Sequence, residues 1–108
     1  MKFLSRTEEL LLNCIIRLRE NAYTFMIREQ LKEITGKTWA FGAIFVSLDR
    51  LERKGYVRSS LGDNTPDRGG RRKRFYRISK KGFQALDEIR NIDRAMWSDL
   101  SVSSIDIE

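Results

Sequence analysis

The sequence predicts a mainly α-helical protein carrying one small β-hairpin. Three observations support that reading. Four segments space their apolar residues three and four positions apart, the period of a helix with one buried face. Two short segments in the second half alternate instead, which is the period of a strand. Between these two lies GDNTPDRGGRRK, Gly62 to Lys73, with the only proline and three of the seven glycines, a composition suited to turning the chain.

The first helix is expected to begin near Ser5. Ser5 and Glu8 have capping-box spacing, so each side chain can satisfy the other's backbone N–H. Leu11, Cys14, Ile15 and Leu18 then recur on one face. Cys14 sits within that stripe and reads as a buried structural thiol. Asn21 and Ala22 form a short break, and Thr24 is expected to N-cap a second helix. Ile27, Leu31 and Ile34 mark its buried face. Gly36 stands where the helix end needs a left-handed residue. Lys37, Thr38 and Trp39 make a brief connection, with Trp39 expected to pack in the turn. A third helix covers about Phe41 to Lys54. Its apolar stripe, Phe41, Ile44, Phe45, Leu48 and Leu51, is expected in the core, while Gly42, Ala43, Val46, Ser47 and Arg50 face elsewhere. Its start has no good capping residue. Its end is marked by Arg53 and Lys54, which suit the negative end of the dipole, and by Gly55.

Tyr56 to Leu61 and Arg74 to Ser79 have strand character. Val57, Ser59 and Leu61 share a face, as do Tyr76 and Ile78, with Phe75 and Arg77 opposite. The intervening segment is expected to be a long hairpin loop, basic in its distal half. Ser79 is a natural N-cap for a last helix running to about Leu100. Phe83, Leu86, Ile89, Ile92, Met96, Trp97 and Leu100 line it. That stripe outruns the small core before it, and a second copy of the chain is the simplest cover. Helix, helix, short turn, helix, hairpin, helix is the order of a winged helix-turn-helix. The expected division is a winged helix-turn-helix over 1–79, a C-terminal dimerisation helix over 80–100 and a flexible acidic tail over 101–108.

Charge narrows the function. Arg68 to Lys81, RGGRRKRFYRISKK, holds eight of the 21 basic residues and no acid, so the rest of this +6 chain nets −2. Arginines interleaved with glycines and aromatics suit a polyanion backbone. The absence of histidine removes the usual general acid–base residue and the commonest metal ligand. A single cysteine excludes an internal disulfide and a multi-thiolate metal site. No apolar run approaches the ~20 residues that span a bilayer. The N-terminus lacks the layout of a secretory signal. These features argue against an enzyme, a cofactor or a membrane partner, and for a cytoplasmic protein that binds nucleic acid.

A helix fits the DNA major groove, and a wing can reach the flanking backbone or minor groove. The small Gly42 and Ala43 would let the third helix approach DNA closely, with Ser47 beside them and Thr38 in the turn. Arg68, Gly69, Arg71, Arg72 and Lys73 are the expected wing contacts, Arg74 and Arg77 being the more structural strand residues. Tyr23 and Thr24 could hold phosphate on the N–H groups that open the second helix. Two other readings remain at this level: a monomeric winged helix that binds RNA or the ribosome, and one that binds only protein. The long C-terminal stripe speaks against the first and the basic wing against the second.

GAIFVSLDRLERKGYV, Gly42 to Val57, resembles the signature of PadR-family transcriptional regulators: Gly, small, aliphatic, aromatic, then Leu-x-Arg-Leu-Glu-x-x-Gly and apolar residues. GGRRKRFYRISKKG, Gly69 to Gly82, is similar to that family's Gly-Arg-x-Arg-x-Tyr-Tyr-x-Leu-Thr-x-x-Gly. The resemblance spans about Thr7 to Leu100. It implies a homodimeric regulator, usually a repressor, bound to a pseudo-palindromic operator in double-stranded DNA. A single C-terminal helix looks like the family's short subgroup, in which that helix makes the dimer, here through Leu86, Ile89, Ile92, Met96, Trp97 and Leu100. Trp97 has two readings: packing within that interface or, as the resemblance to PadR-like proteins that sense such compounds implies, a wall of a pocket between protomers for a small aromatic or hydrophobic effector. Ala43, Phe45 and Val46 stand where many members have Ser, Tyr and Pro, which removes hydroxyls and shifts weight to the wing.

Overall fold

The capping box forms as its spacing requires. Glu8 N–H donates to Ser5 Oγ at 3.1 Å, and Ser5 N–H donates to Glu8 Oε1 at 2.8 Å. From there a computed structural model, which describes residues 3–64 and 72–108, runs α1 (Arg6–Leu18), a 3-10 turn (Arg19–Asn21), α2 (Thr24–Thr35), α3 (Phe41–Arg53), β1 (Val57–Asn64), β2 (Arg72–Ile78) and α4 (Lys80–Trp97). A last 3-10 turn, Val102–Ser104, lies in the segment expected to be a tail.

Three helices enclose one core. α1 supplies Leu11, Leu12, Cys14 and Ile15; α2 supplies Ile27 and Leu31; α3 supplies Ile44, Leu48 and Leu51. Ala22, Val57 and Tyr76 close it, and no polar or charged residue other than the Tyr76 phenol is buried among the described residues. Burial pushes the Cys14 thiol up to about 11, against a smaller opposing effect of Arg17. Lys54 Nζ meets Glu8 Oε2 at 2.6 Å and ties the end of α3 to the start of α1. Burial alone would raise the Glu8 carboxyl, but Lys54 and the Ser5 hydrogen bonds outweigh it and hold it below its ordinary value.

The turn between α2 and α3 is pinned from several sides. Gly36 takes φ 74°, and its N–H closes on the Lys32 carbonyl at 2.7 Å. The Thr35 hydroxyl donates to the Leu31 carbonyl at 2.7 Å and accepts Lys37 N–H and the Trp39 indole N–H. Arg28 Nε donates to the Trp39 carbonyl at 2.7 Å, while its guanidinium stacks 4.2 Å above the Phe41 ring. Trp39 is half-buried against the core, as expected.

β1 and β2 pair antiparallel from Val57↔Ile78 to Asn64↔Arg72, with an irregularity between Leu61 and Asn64. The hairpin docks through backbone groups on the connection between the first two helices. Tyr76 N–H donates to the Ala22 carbonyl at 2.8 Å, and Tyr23 bridges Phe75. At its base, Gly55 takes φ 80°, Tyr56 N–H donates to the Leu51 carbonyl, and Ser79 N–H donates to the Tyr56 carbonyl. Ser79 Oγ accepts Gly82 N–H at 3.0 Å and so caps α4. α4 then lies along α1 through Phe83 and Leu86, which border a groove with Ile16.

Five expectations need correction. Phe41 and Phe45 are not core residues: they are 42% and 53% exposed. The buried stripe of α3 is Ile44, Leu48 and Leu51, and the two phenylalanines flank it toward the hairpin. Ile34 is 41% exposed because the last turn of α2 runs past the core. Tyr23, not Thr24, is the N-cap of α2, and no side chain caps it. Tyr23 is held extended by its bridge to Phe75, so the helix begins at Thr24. The strands reach further into the expected loop, placing Arg72 and Lys73 within β2. α4 ends at Trp97, because Asp99 turns left-handed at φ 62°, and Leu100 lies beyond the helix.

Three stability measurements follow from this packing. A Cβ on Gly82 would lie 2.1 Å from the Tyr56 carbonyl oxygen, whereas one on Gly42 would meet nothing within 4 Å. Gly82→Ala is therefore expected to lower stability by about 1–3 kcal/mol through overpacking. Gly42→Ala should be neutral or stabilising by up to ~1 kcal/mol from helix propensity. Denaturant melts giving the reverse order would contradict the packing of α4. Arg28→Ala should cost about 2 kcal/mol, the scale of a charged hydrogen bond, and Arg28→Lys should recover only part, since lysine lacks the flat fork. A wild-type melt for Arg28→Ala would show that the turn does not need it. Cys14 should resist thiol alkylation at neutral pH until the chain unfolds; labelling of the native protein would refute its burial.

Candidate nucleic-acid interface

The hairpin's docking creates a cleft of about 630 Å³ between α2, α3 and β2. From α2 and the residue before it come Tyr23, Thr24 and Phe25; from α3 come Phe41 and Phe45. Leu61 of β1 and Arg72, Lys73 and Arg74 of β2 form the opposite wall. The first turn of α2 has no acidic residue and no side-chain cap, so the positive end of its dipole meets this space.

Aromatic rings and cations interleave here. The Lys73 ammonium lies 4.2 Å above the Tyr23 ring, which packs T-shaped with Phe75, centroids 5.4 Å apart at 69°. Arg72 Nε donates to the Gly62 carbonyl at 2.8 Å across the hairpin. Arg74 Nη1 donates to Ser59 Oγ at 2.9 Å, and Ser59 in turn donates to Glu52 Oε2 at 2.5 Å. Arg74 is thus partly committed to the fold, while its side of β2 still lines the cleft.

Four of the sequence-derived candidates come together in this cleft: Tyr23, Thr24, Arg72 and Lys73. Thr38, Gly42 and Ala43 are exposed in the turn and the first turn of α3, outside the cleft lining, and Ser47 is half-buried. Arg68, Gly69 and Arg71 lie outside the described residues. Phe25, Phe41, Phe45 and Leu61 also line this site, with Arg28 as its support, and neither composition nor periodicity marks them together for that role. Only Phe45 carries a signal: it lies about 100° around the helix from Ile44, so a narrow core could not cover both. On α4, Leu86, Ile89 and Ile92 are half-buried, whereas Met96 and Trp97 are 57% and 58% exposed and Leu100 is exposed beyond the helix end. Among the described residues, no cluster of acidic or thiol side chains could hold a metal ion, and no helix is long and apolar enough to cross a membrane.

Comparison with known proteins agrees with this architecture. The family model for the transcriptional regulator PadR-like family matches residues 11–88. An hsRosR complex superposes with a TM-score of 0.73 at 22% identity, covering 90% of this chain and 79% of that one. A PadR family transcription regulator from hypervirulent Clostridium difficile superposes with a TM-score of 0.65 at 24% identity, covering 85% of this chain and 90% of that one. A winged-helix DNA-binding protein from STIV reaches 0.68 at 13% identity, covering 93% of this chain and 100% of that one. No curated protein matches the chain. The structural likenesses establish the winged-helix fold. The family model, which spans most of the chain, places it among transcriptional regulators rather than enzymes: the protein belongs to the PadR-like family.

Proposed function

We propose that the protein is a homodimeric, cytoplasmic repressor that binds a pseudo-palindromic operator. One observation carries the reading. The uncapped start of α2, Phe41 and Phe45 of α3 and the cationic strand β2 line one cleft, with the exposed Gly42 and Ala43 beside it. α3 would enter the major groove. Arg72 and Lys73, together with the sequence-derived candidates Arg68, Gly69 and Arg71, would hold phosphates or an adjacent minor groove. Tyr23 and Thr24 would meet a phosphate at the start of α2. Thr38, Gly42, Ala43 and Ser47 would approach the groove from α3 and the turn before it.

Dimerisation would bury the face of α4. Leu86, Ile89, Ile92, Met96 and Trp97 offer it, with Leu100 just beyond the helix end; the exposure of Met96, Trp97 and Leu100, next to half-buried Ile89 and Ile92, supports an interface. Two-fold pairing sets half-sites ~10 bp or a multiple apart. A small aromatic or hydrophobic effector against Trp97 could favour one dimer geometry and so alter half-site spacing.

Fluorescence anisotropy with the gene's own upstream DNA, over a salt series and with RNA as competitor, tests this. Tight binding that RNA fails to displace is expected, and preference for RNA would favour an RNA-binding role instead. Each phosphate contact contributes about 0.9 to the slope of log affinity against log salt. Arg72→Ala/Lys73→Ala should therefore flatten the slope by roughly 3–4 for a dimer with two wings. An unchanged slope would remove the wing from the interface.

A further inference from the structure

The outward side of α3 has almost nothing to hydrogen-bond with. From Phe41 to Leu48 the helix reads FGAIFVSL, so Ser47 alone brings a polar side-chain atom. Phe45 and Val46 are each 53% exposed, and Gly42 and Ala43 beside them are exposed too. Residues 42, 45, 46 and 49 fall on one side of a helix by spacing. Asp49 ends this apolar surface, and its carboxylate is paired with Arg53 at 2.9 Å. A helix presented to a groove in this way has little means of reading bases through hydrogen bonds in its first two turns.

The surface nevertheless has a defined electrostatic setting. Arg72, Lys73 and Arg74 stand across the cleft from Phe45. Its partner should therefore be anionic at the flank and apolar at the centre. The major groove of DNA meets both conditions, and the one apolar group on its base edges is the 5-methyl of thymine.

We infer that Phe45 and Val46, assisted by Ala43, read thymine methyl groups in each operator half-site. The inference rests on the operator-binding reading and adds the chemistry by which α3 distinguishes bases. Recognition at these positions is by burial of a methyl against side-chain carbon, not by a donor–acceptor pair.

Replacing thymine by uracil removes the methyl and leaves every base-pairing and groove hydrogen-bonding group in place. The full-length chain first selects duplexes from a random pool, and the selected duplex is then remade with uracil one position at a time. Thymines in register with α3 should each cost about fourfold in affinity when replaced, the equivalent of one buried methylene-sized group. Phe45→Ala should erase the thymine–uracil difference at its position while keeping the wild-type salt slope, because the wing is untouched. Equal affinity of the wild-type chain for thymine and uracil duplexes overturns the inference and leaves operator binding standing. Enrichment of no sequence at all overturns the operator reading and this inference together. A Phe45→Ala chain that retains the preference but changes its oligomeric state assigns the face to protein contact, and also overturns it. The wild-type comparison is decisive whatever the variant's stability.

Discussion

Two adjacent backbone contacts, Tyr76 to Ala22 and Tyr23 to Phe75, hold the rest of the architecture in place. They attach a two-stranded hairpin, which would be marginal in water by itself, to the connection between α1 and α2. The attachment buries the Tyr76 ring in the helical core. Burial raises its phenol above the ordinary value, Arg74 partly opposes the rise, and the charges of Glu52 and Asp49 add to it. The same attachment holds Tyr23 extended, which leaves α2 without a side-chain cap and turns its start toward the cationic strand. One docking event thus sets both the stability of the wing and the composition of the candidate interface.

The second constraint lies at the base of the hairpin. Only Ser79 separates β2 from α4. Ser79 is bonded to Gly55 and Tyr56 through side chain and backbone, and Gly82 lies against the Tyr56 carbonyl. Lys81 Nζ adds a bond to the Lys54 carbonyl at 2.8 Å. No flexible linker stands between the helix proposed to pair protomers and the strands proposed to touch DNA. A rotation of α4 against a partner would carry the hairpin with it as a rigid body, the geometry that an effector at Trp97 would need.

Much of this was legible in the sequence where the chemistry is local. Ser5 with Glu8, Gly36, Gly55 and Ser79 each mark a helix end through neighbours within a few residues, and the structure uses all of them. The motifs from Gly42 to Val57 and Gly69 to Gly82 pointed to the family to which the chain belongs. What failed depended on distance. Periodicity gives the direction of a side chain around a helix but not the depth of the core beneath it, so Phe41, Phe45 and Ile34 share the spacing of core residues without being covered by the core. Thr24 lost the cap position to Tyr23, which is bridged to Phe75, 52 residues further along the chain. The strands outran their alternating pattern because pairing to Arg72 continues through an irregularity that alternation does not encode. The concentration of charge was visible at once, and Arg74 and Arg77 fall on the expected strand, yet the extension of that strand to Arg72 and Lys73, with Lys73 over the Tyr23 ring, was not legible.

Whether the cleft on which α2, α3 and β2 converge is the proposed DNA surface can be mapped residue by residue. Backbone amide shifts of the isotope-labelled chain, followed during titration with duplex DNA, would do so. The largest changes should fall at Tyr23 to Phe25, Gly42 to Val46 and Arg72 to Arg74, with the outer half of α4 little affected. Changes centred on α4, with the cleft silent, would mean that this surface is not where the protein meets DNA.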